Sequence, residues 1–101
     1  METIKKLAEM ALEEAESACH YAKWSVIHKA EHPTLAETLF SISGQELNHA
    51  ELLHKEAERL LAEHTGAEAY AACRAVVDYL HEEQVEKTNK AKMYQAQYRG
   101  A

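Results

Sequence analysis

The hydrophobic residues of this chain recur with a helical period, and the period is interrupted at two places. Pro33 disfavours helix at the residue before it, and Thr34 with Glu37 has the spacing of a capping box. Gly66 fits the position that follows a helix C-terminus. The pattern therefore predicts three helices, at about residues 2–31, 34–64 and 67–98, joined by two short connections.

Each predicted helix carries one apolar stripe when its residues are placed at about 100° per position. The first stripe contains Ile4, Leu7, Ala11, Ala15, Ala18 and Ala22. The second contains Leu35, Leu39, Ile42, Ala50, Leu53, Ala57 and Leu60. The third contains Ala69, Cys73, Val76, Val77, Leu80, Ala91, Tyr94 and Tyr98. One carboxylate lies inside each stripe, namely Glu14, Glu46 and Glu83, while His49 and Glu86 lie at stripe margins.

Composition supports an all-α fold. The 101 residues suit a single domain, 1–101, and include 16 Glu and 18 Ala but one Asp, three Gly and one Pro. This balance excludes a β-sandwich and a Gly/Ser-rich disordered chain. We expect a long-helix antiparallel bundle with three helices per chain. Helices of about 30 residues are about 45 Å long and leave much side surface uncovered, so we expect a homodimer or larger oligomer to complete the bundle.

Charge and targeting signals exclude several function classes. The net charge of −6 argues against nucleic acid as a partner. No apolar run approaches the roughly 20 residues that span a bilayer, and the N-terminus lacks the apolar segment of a signal peptide. Cys19 and Cys73 are 54 positions apart, so they form no CxxC pair. We expect a cytoplasmic protein without a membrane partner.

A carboxylate inside an apolar stripe must be paired, protonated or bound to a metal, because an unpaired buried charge costs several kcal/mol. Lys87 or Lys90 offers a pairing for Glu83 and Glu86. The stripes of helices 1 and 2 contain no Lys or Arg, which favours a divalent metal at Glu14 and Glu46 over ion pairs. A hydrogen-bonded or protonated pair is the alternative for Glu46 and His49.

Glu46 and His49 are three residues apart, so both side chains lie on one helix face. The same acid-x-x-His spacing occurs at Glu51/His54 and Asp78/His81, but these pairs face away from the stripes and are expected on the solvated surface. On helix 1, Glu14 faces the stripe, but its position along the helix axis differs from that of Glu46 by about 6 Å. The position of Glu16 differs by only about 3 Å, but Glu16 lies on the wrong face of the helix. Glu16 therefore stays the alternative to Glu14.

Two further features bear on a site or an interface. Ser41, Ser43 and Gly44 make the poorest helix-forming stretch of helix 2, which is compatible with a π-bulge, a close backbone approach or simple helix packing. Trp24 lies off the first stripe and is expected at an oligomer contact.

From about residue 12 to 61, the chain resembles the rubrerythrin branch of the ferritin-like superfamily. The resemblance rests on Glu14 with Tyr21 two turns later, on Pro33-x-Leu35-Ala36, and on Glu46-x-x-His49-Ala50. Helix 3 is similar more loosely, through Glu83-x-x-Glu86 and Tyr94. The two-helix part, with Glu16, Glu46 and His49, is also similar to the encapsulated ferritins, which complete their iron site by dimerising.

The resemblance implies a di-iron carboxylate site that reacts with oxygen, peroxide or ferrous iron, with manganese or zinc as substitute metals. The ligands expected in this chain are Glu14, Glu46, His49, Glu83 and Glu86, with Tyr21 and Tyr94 as hydrogen-bonding neighbours. Family bundles have a fourth helix with a second Glu-x-x-His, and full rubrerythrins have CxxC pairs that this chain lacks. An oxidoreductase of ferroxidase or peroxidase type and a metal-free helical adaptor or assembly module are therefore both left open, and the electron donor is unknown.

Overall fold

Three α-helices form the whole regular structure of the computed structural model, which describes residues 1–63 and 66–100 apart from the side chain of residue 67. They are α1 (Glu2–His28), α2 (Pro33–Ala62) and α3 (Ala67–Arg99). The described ranges contain no strand, so the all-α prediction with three helices is confirmed. The molecule measures 55 × 17 × 16 Å.

The helix ends differ from the prediction in three details. α1 ends at His28, and residues 29–31 form a turn before Pro33 begins α2 as its first helical residue. The predicted capping box at Thr34 is wrong, because Thr34 lies inside α2 and the N-cap is His32 without a side-chain cap. The prediction that Gly66 is the residue just after the C-terminus of helix 2 is wrong. Gly66 is the N-cap of α3, with an extended backbone at φ −91° and ψ 121°. The predicted end of helix 2 at residue 64 lies outside the described residues.

α1 lies against both other helices because its inner face is lined by small side chains. Its buried residues are Ile4, Ala8, Ala11, Ala15, Ala18, Ala22 and Ser25. Alanine has no side chain beyond Cβ, so the helices on either side can approach the α1 backbone closely. The alanine stripe predicted from the sequence is confirmed, and Leu7 packs partly buried at its edge.

The contacts at the two ends define the helix directions. At one end, Ile4 of α1 packs with Leu61 of α2 and Cys73 of α3 in a hydrophobic cluster. At the other end, Phe40 stacks on Tyr98 with ring centroids 4.5 Å apart, and Lys29 Nζ donates to the Tyr98 carbonyl. α2 therefore runs antiparallel to α1, and α3 runs parallel to α1.

Polar side chains form part of the buried seam, which the apolar stripes did not predict. Gln95 Nε2 of α3 donates to Ser43 Oγ of α2 at 3.0 Å, and Ser43 Oγ donates to the Ala18 carbonyl of α1 at 2.7 Å. Gln84 Nε2 of α3 donates to the Ala50 carbonyl at 3.4 Å. These bonds satisfy the buried groups and link all three helices.

The stretch around Ser43 is regular α-helix, so the π-bulge considered for it is wrong. The space beside Gly44 is open, and a Cβ there would have no neighbour from another helix within 4 Å, so the glycine marks no close backbone approach either. Two stripe residues, Leu35 and Ala69, are exposed because they lie in the first turns of their helices. Across the described ranges, none of the helices offers a stretch that is long and apolar enough to cross a membrane.

Candidate metal centre

A cluster of three metal-ligating side chains lies in the crevice between α1 and α2. Glu46 and His49 project from one face of α2, since they are three residues apart, and Glu14 meets them from α1. The neighbouring buried residues Ala15 and Ala50 keep the two helices close at this level. One ligand atom from each residue lies within 4.8 Å of the other two.

The distances from His49 to the two carboxylates are too long for hydrogen bonds. His49 Nδ1 lies 3.9 Å from Glu14 Oε2 and 3.8 Å from Glu46 Oε1. An N–H···O hydrogen bond has a donor–acceptor distance of about 2.7–3.2 Å. The hydrogen-bonded pair considered as the alternative for Glu46 and His49 is therefore not formed. The side chains are 30% exposed for Glu14, 21% for Glu46 and 52% for His49, so the cluster lies at the rim of the crevice rather than in the core.

The two carboxylates perturb each other. The pKa of Glu14 is raised above its ordinary value, chiefly because a proton on it can be shared with Glu46. Partial burial and the negative charge of Glu46 raise it further, and His49 acts in the opposite direction. Such a pair is stabilised by a cation between its members, whether a proton or a metal ion.

No protein cation takes that role in the part of the chain that the structure describes. Neither Glu14 nor Glu46 forms an ion pair with a Lys or Arg within 4.0 Å there. Glu58 shows the contrast, since its carboxylate receives two hydrogen bonds from Arg74 at 2.8 and 2.5 Å. That interaction lowers the pKa of Glu58, whereas the pKa of Glu14 is raised.

The two donor separations measured from His49 Nδ1 are compatible with a single bound ion. Carboxylate oxygen and imidazole nitrogen lie about 2.0–2.2 Å from a first-row divalent metal such as zinc, so two donors on one ion are at most about 4.4 Å apart. The 3.9 and 3.8 Å separations from His49 Nδ1 fall below that limit. The donor set of two carboxylates and one imidazole also suits iron or manganese.

The structure separates Glu16, Glu83 and Glu86 from the cluster of Glu14, Glu46 and His49. Glu16, the alternative on helix 1, lies in a groove between α1 and α3 and not beside Glu46. Glu83 is half-buried and Glu86 is exposed. Glu83 shares a face of α3 with Lys87, which lines that same groove. Neither Glu83 nor Glu86 belongs to the three-residue cluster within the described chain.

Within residues 1–63 and 66–100, the lysine pairings considered for these acids are not formed, and neither Tyr21 nor Tyr94 forms a hydrogen bond with a carboxylate. No ion pair within 4.0 Å joins Lys87 or Lys90 to Glu83 or Glu86. Tyr94 also lines the groove between α1 and α3, away from the cluster.

The other acid-x-x-His pairs occupy a different environment. Glu51 is exposed, as predicted, and lies 3.5 Å from Lys55. The prediction that His54 and His81 are solvated is wrong, because their rings stack between α2 and α3 with centroids 3.7 Å apart. His54 Nε2 lies 3.6 Å from Glu58 Oε1. Burial and the neighbouring His81 lower the pKa of His54.

Comparisons with known proteins indicate no function for this chain. No protein-family model, curated protein or solved structure matches this chain. The resemblance to rubrerythrins accordingly stays an expectation from a few motif residues. The cluster of Glu14, Glu46 and His49 is the feature from which a function can be argued.

Proposed function

We propose that this protein is a metal-binding protein whose resident ion is held by Glu14, Glu46 and His49. The observation that supports the proposal is the convergence of two carboxylates and one imidazole from two helices, with ligand atoms within 4.8 Å of one another. The lack of a paired Lys or Arg in the described chain and the raised pKa of Glu14 support it further, because both indicate an unneutralised negative site.

The proposed roles follow from the chemistry of each side chain. Glu14 and Glu46 supply negative charge and oxygen ligands, and Glu46 is the candidate to bridge two ions. The His49 imidazole supplies a nitrogen ligand from the solvent side, since its side chain is 52% exposed. When bound, iron supplies redox chemistry toward oxygen, peroxide or ferrous iron, and manganese and zinc are alternative ions.

Three protein ligands leave coordination positions for groups from outside the protomer. We propose that a second copy of the chain covers the crevice and brings its own three ligands near the first set, to form a ferritin-like bundle around two ions. Trp24 and Ile27, near the end of α1, have 53% and 59% of their surface exposed and are candidate interface residues. In this proposal Glu83 and Glu86 remain candidate ligands that the cluster does not include.

The proposal is tested by iron analysis after anaerobic loading with Fe(II) and removal of free iron. We expect about one iron per protomer in the native chain and little in Glu46→Ala, with helicity by circular dichroism unchanged. Glu51→Ala is the matched control, because it removes a glutamate with the same acid-x-x-His spacing from the exposed face of α2. Absence of iron from the native chain, or equal loss in both variants, would overturn the metal site.

The dimer is tested separately by sedimentation of the native chain and of Trp24→Ala, with and without Fe(II). A dimer that Fe(II) strengthens and Trp24→Ala weakens supports the shared site. A monomer at micromolar concentration under all conditions contradicts it.

A metal-free assembly module is the second candidate, and the exposed apolar residues favour it. Besides Trp24 and Ile27, the large hydrophobic residues Leu35, Leu52 and Tyr79 are 45%, 53% and 64% exposed. The buried seam of alanine, serine and glutamine side chains packs the helices through residues other than Glu14, Glu46 and His49. A chain that binds no iron but forms an oligomer lost in Trp24→Ala would favour this function over metal binding.

A further inference from the structure

A groove of about 190 Å³ lies between α1 and α3, away from the metal cluster. Glu16, which lines the groove, is two positions from Glu14 and therefore about 200° away around the axis of α1. The groove and the cluster thus occupy different crevices, one on each side of α1. Nothing in the proposed metal function uses the groove.

Cations dominate the lining of this groove. Lys23 comes from α1, and Lys87 and Lys90 come from α3. Glu16 is the one acidic residue among its lining residues. Three lysines against one glutamate make a locally positive site on a chain whose net charge is −6.

The groove lysines differ from Lys5, Lys55, Arg59 and Arg74 in having no nearby carboxylate. Lys55 and Arg74 lie 3.5 and 2.5 Å from carboxylate oxygens. Within the described ranges, no carboxylate lies within 4.0 Å of the Lys23, Lys87 or Lys90 ammonium groups. Like charges gathered around one small space repel each other. An anion between them would relieve that repulsion and accept several charge-assisted hydrogen bonds.

The arrangement of donors also suits a small anion. Lys87 and Lys90 are three residues apart and project from one face of α3, and Tyr94 lies one turn further along. His20 adds an imidazole from α1. The donors therefore approach the groove from both of its walls. The volume is below the roughly 300–1,000 Å³ of sites for larger organic ligands, which favours a single anionic group.

We propose that this groove binds a tetrahedral oxyanion of the phosphate class. Lys23, Lys87 and Lys90 neutralise its charge, and Tyr94 offers a hydroxyl donor. The shared chemistry is a phosphate group, which is present both in free inorganic phosphate and in a small phosphate monoester. The proposal is independent of the metal site, because it uses none of Glu14, Glu46 and His49.

The test is calorimetric titration of the full chain with inorganic phosphate, with EDTA present and ionic strength held constant by NaCl. We expect saturable binding that is weakened at least about tenfold in Lys87→Gln/Lys90→Gln, since each lysine supplies a charged hydrogen bond. The matched control is Lys6→Gln/Lys55→Gln, which removes the same charge from exposed positions outside the groove. In that variant we expect affinity within about twofold of the native chain.

Three further measurements complete the test. Lys23→Gln alone should also weaken phosphate binding, which checks the α1 side of the groove. Titration with glycerol 3-phosphate distinguishes the two sources, because tighter binding than inorganic phosphate indicates a monoester and weaker binding indicates the free ion. Iron content should be unchanged in Lys87→Gln/Lys90→Gln, so failure of this proposal and failure of the metal proposal give different results. Absence of phosphate binding, or equal weakening in both double variants, would overturn the oxyanion site.

Discussion

Replacing Glu14 by glutamine should make the metal-free protein more stable. The Glu14 and Glu46 carboxylates have ligand atoms within 4.8 Å of each other. At this upper limit of 4.8 Å, two charges repel by about 0.9 kcal/mol in bulk water and by about 3.5 kcal/mol at an effective dielectric constant of 20. The side chains are 30% and 21% exposed, so solvent screens part of the repulsion, and we expect about 1–2 kcal/mol.

The pH dependence of this effect has a defined sign. The pKa of Glu14 is raised, chiefly by a proton shared with Glu46. A carboxyl whose folded pKa exceeds its unfolded value contributes stability below the unfolded pKa and loses it as pH rises through the folded pKa. The advantage of Glu14→Gln should therefore be small at pH 4 and develop as pH rises above the ordinary value of 4.5.

The assay is urea and thermal unfolding in EDTA at pH 4 and pH 8, with Glu13→Gln as the control. Glu13 is exposed on the same helix, and its replacement removes the same charge. We expect Glu14→Gln to raise the free energy of unfolding at pH 8 by about 1 kcal/mol more than the control, or about 4–8 °C in Tm. In a parallel series with Fe(II) in place of EDTA, the order should reverse, because only the native chain gains stability from binding. Equal effects of Glu13→Gln and Glu14→Gln in EDTA would refute the reasoning.

Three other predictions concern the helix contacts. Ser43→Ala should lower the free energy of unfolding by about 1–3 kcal/mol, because it breaks a buried hydrogen-bond chain, whereas exposed Ser41→Ala should change it by less than about 0.5 kcal/mol. Leu61→Ala should cost about 2–5 kcal/mol in chemical denaturation, since Leu61 is 1% exposed. Because burial and His81 lower the pKa of His54, the native chain should lose stability below about pH 6.5, and His54→Gln should reduce that loss in unfolding curves recorded from pH 8 to 5.

The main features of the fold were predictable because they depend on local sequence. The alanine stripe of α1 defines its inner face, and Pro33 defines the start of α2 to within one residue. The buried roles of Ser43, Gln84 and Gln95 were not predictable from apolar periodicity. Each is buried because its hydrogen-bond partner lies on another helix, and a helical wheel contains no information about partners.

The part of the site that is formed by the two adjacent helices α1 and α2 was predictable. The wheel placed Glu14, Glu46 and His49 on facing sides of helices joined by a short turn, and the structure brings them together. The position of α3 was not predictable, because a wheel does not say on which side of α1 a third helix packs. Lys87, one turn from Glu83 on α3, consequently lines the groove beside α1, and Glu16 lines that groove as well. The stacking of His54 on His81 was missed for the same reason.

The central claim is that Glu14, Glu46 and His49 hold a metal ion, and an anomalous difference map at the iron edge tests it most directly. The crystals would be grown anaerobically with Fe(II). The account predicts an iron peak about 2.0–2.2 Å from carboxylate oxygens of Glu14 and Glu46 and from a nitrogen of His49. A map with no peak in this crevice, or with iron only at other side chains, would contradict it.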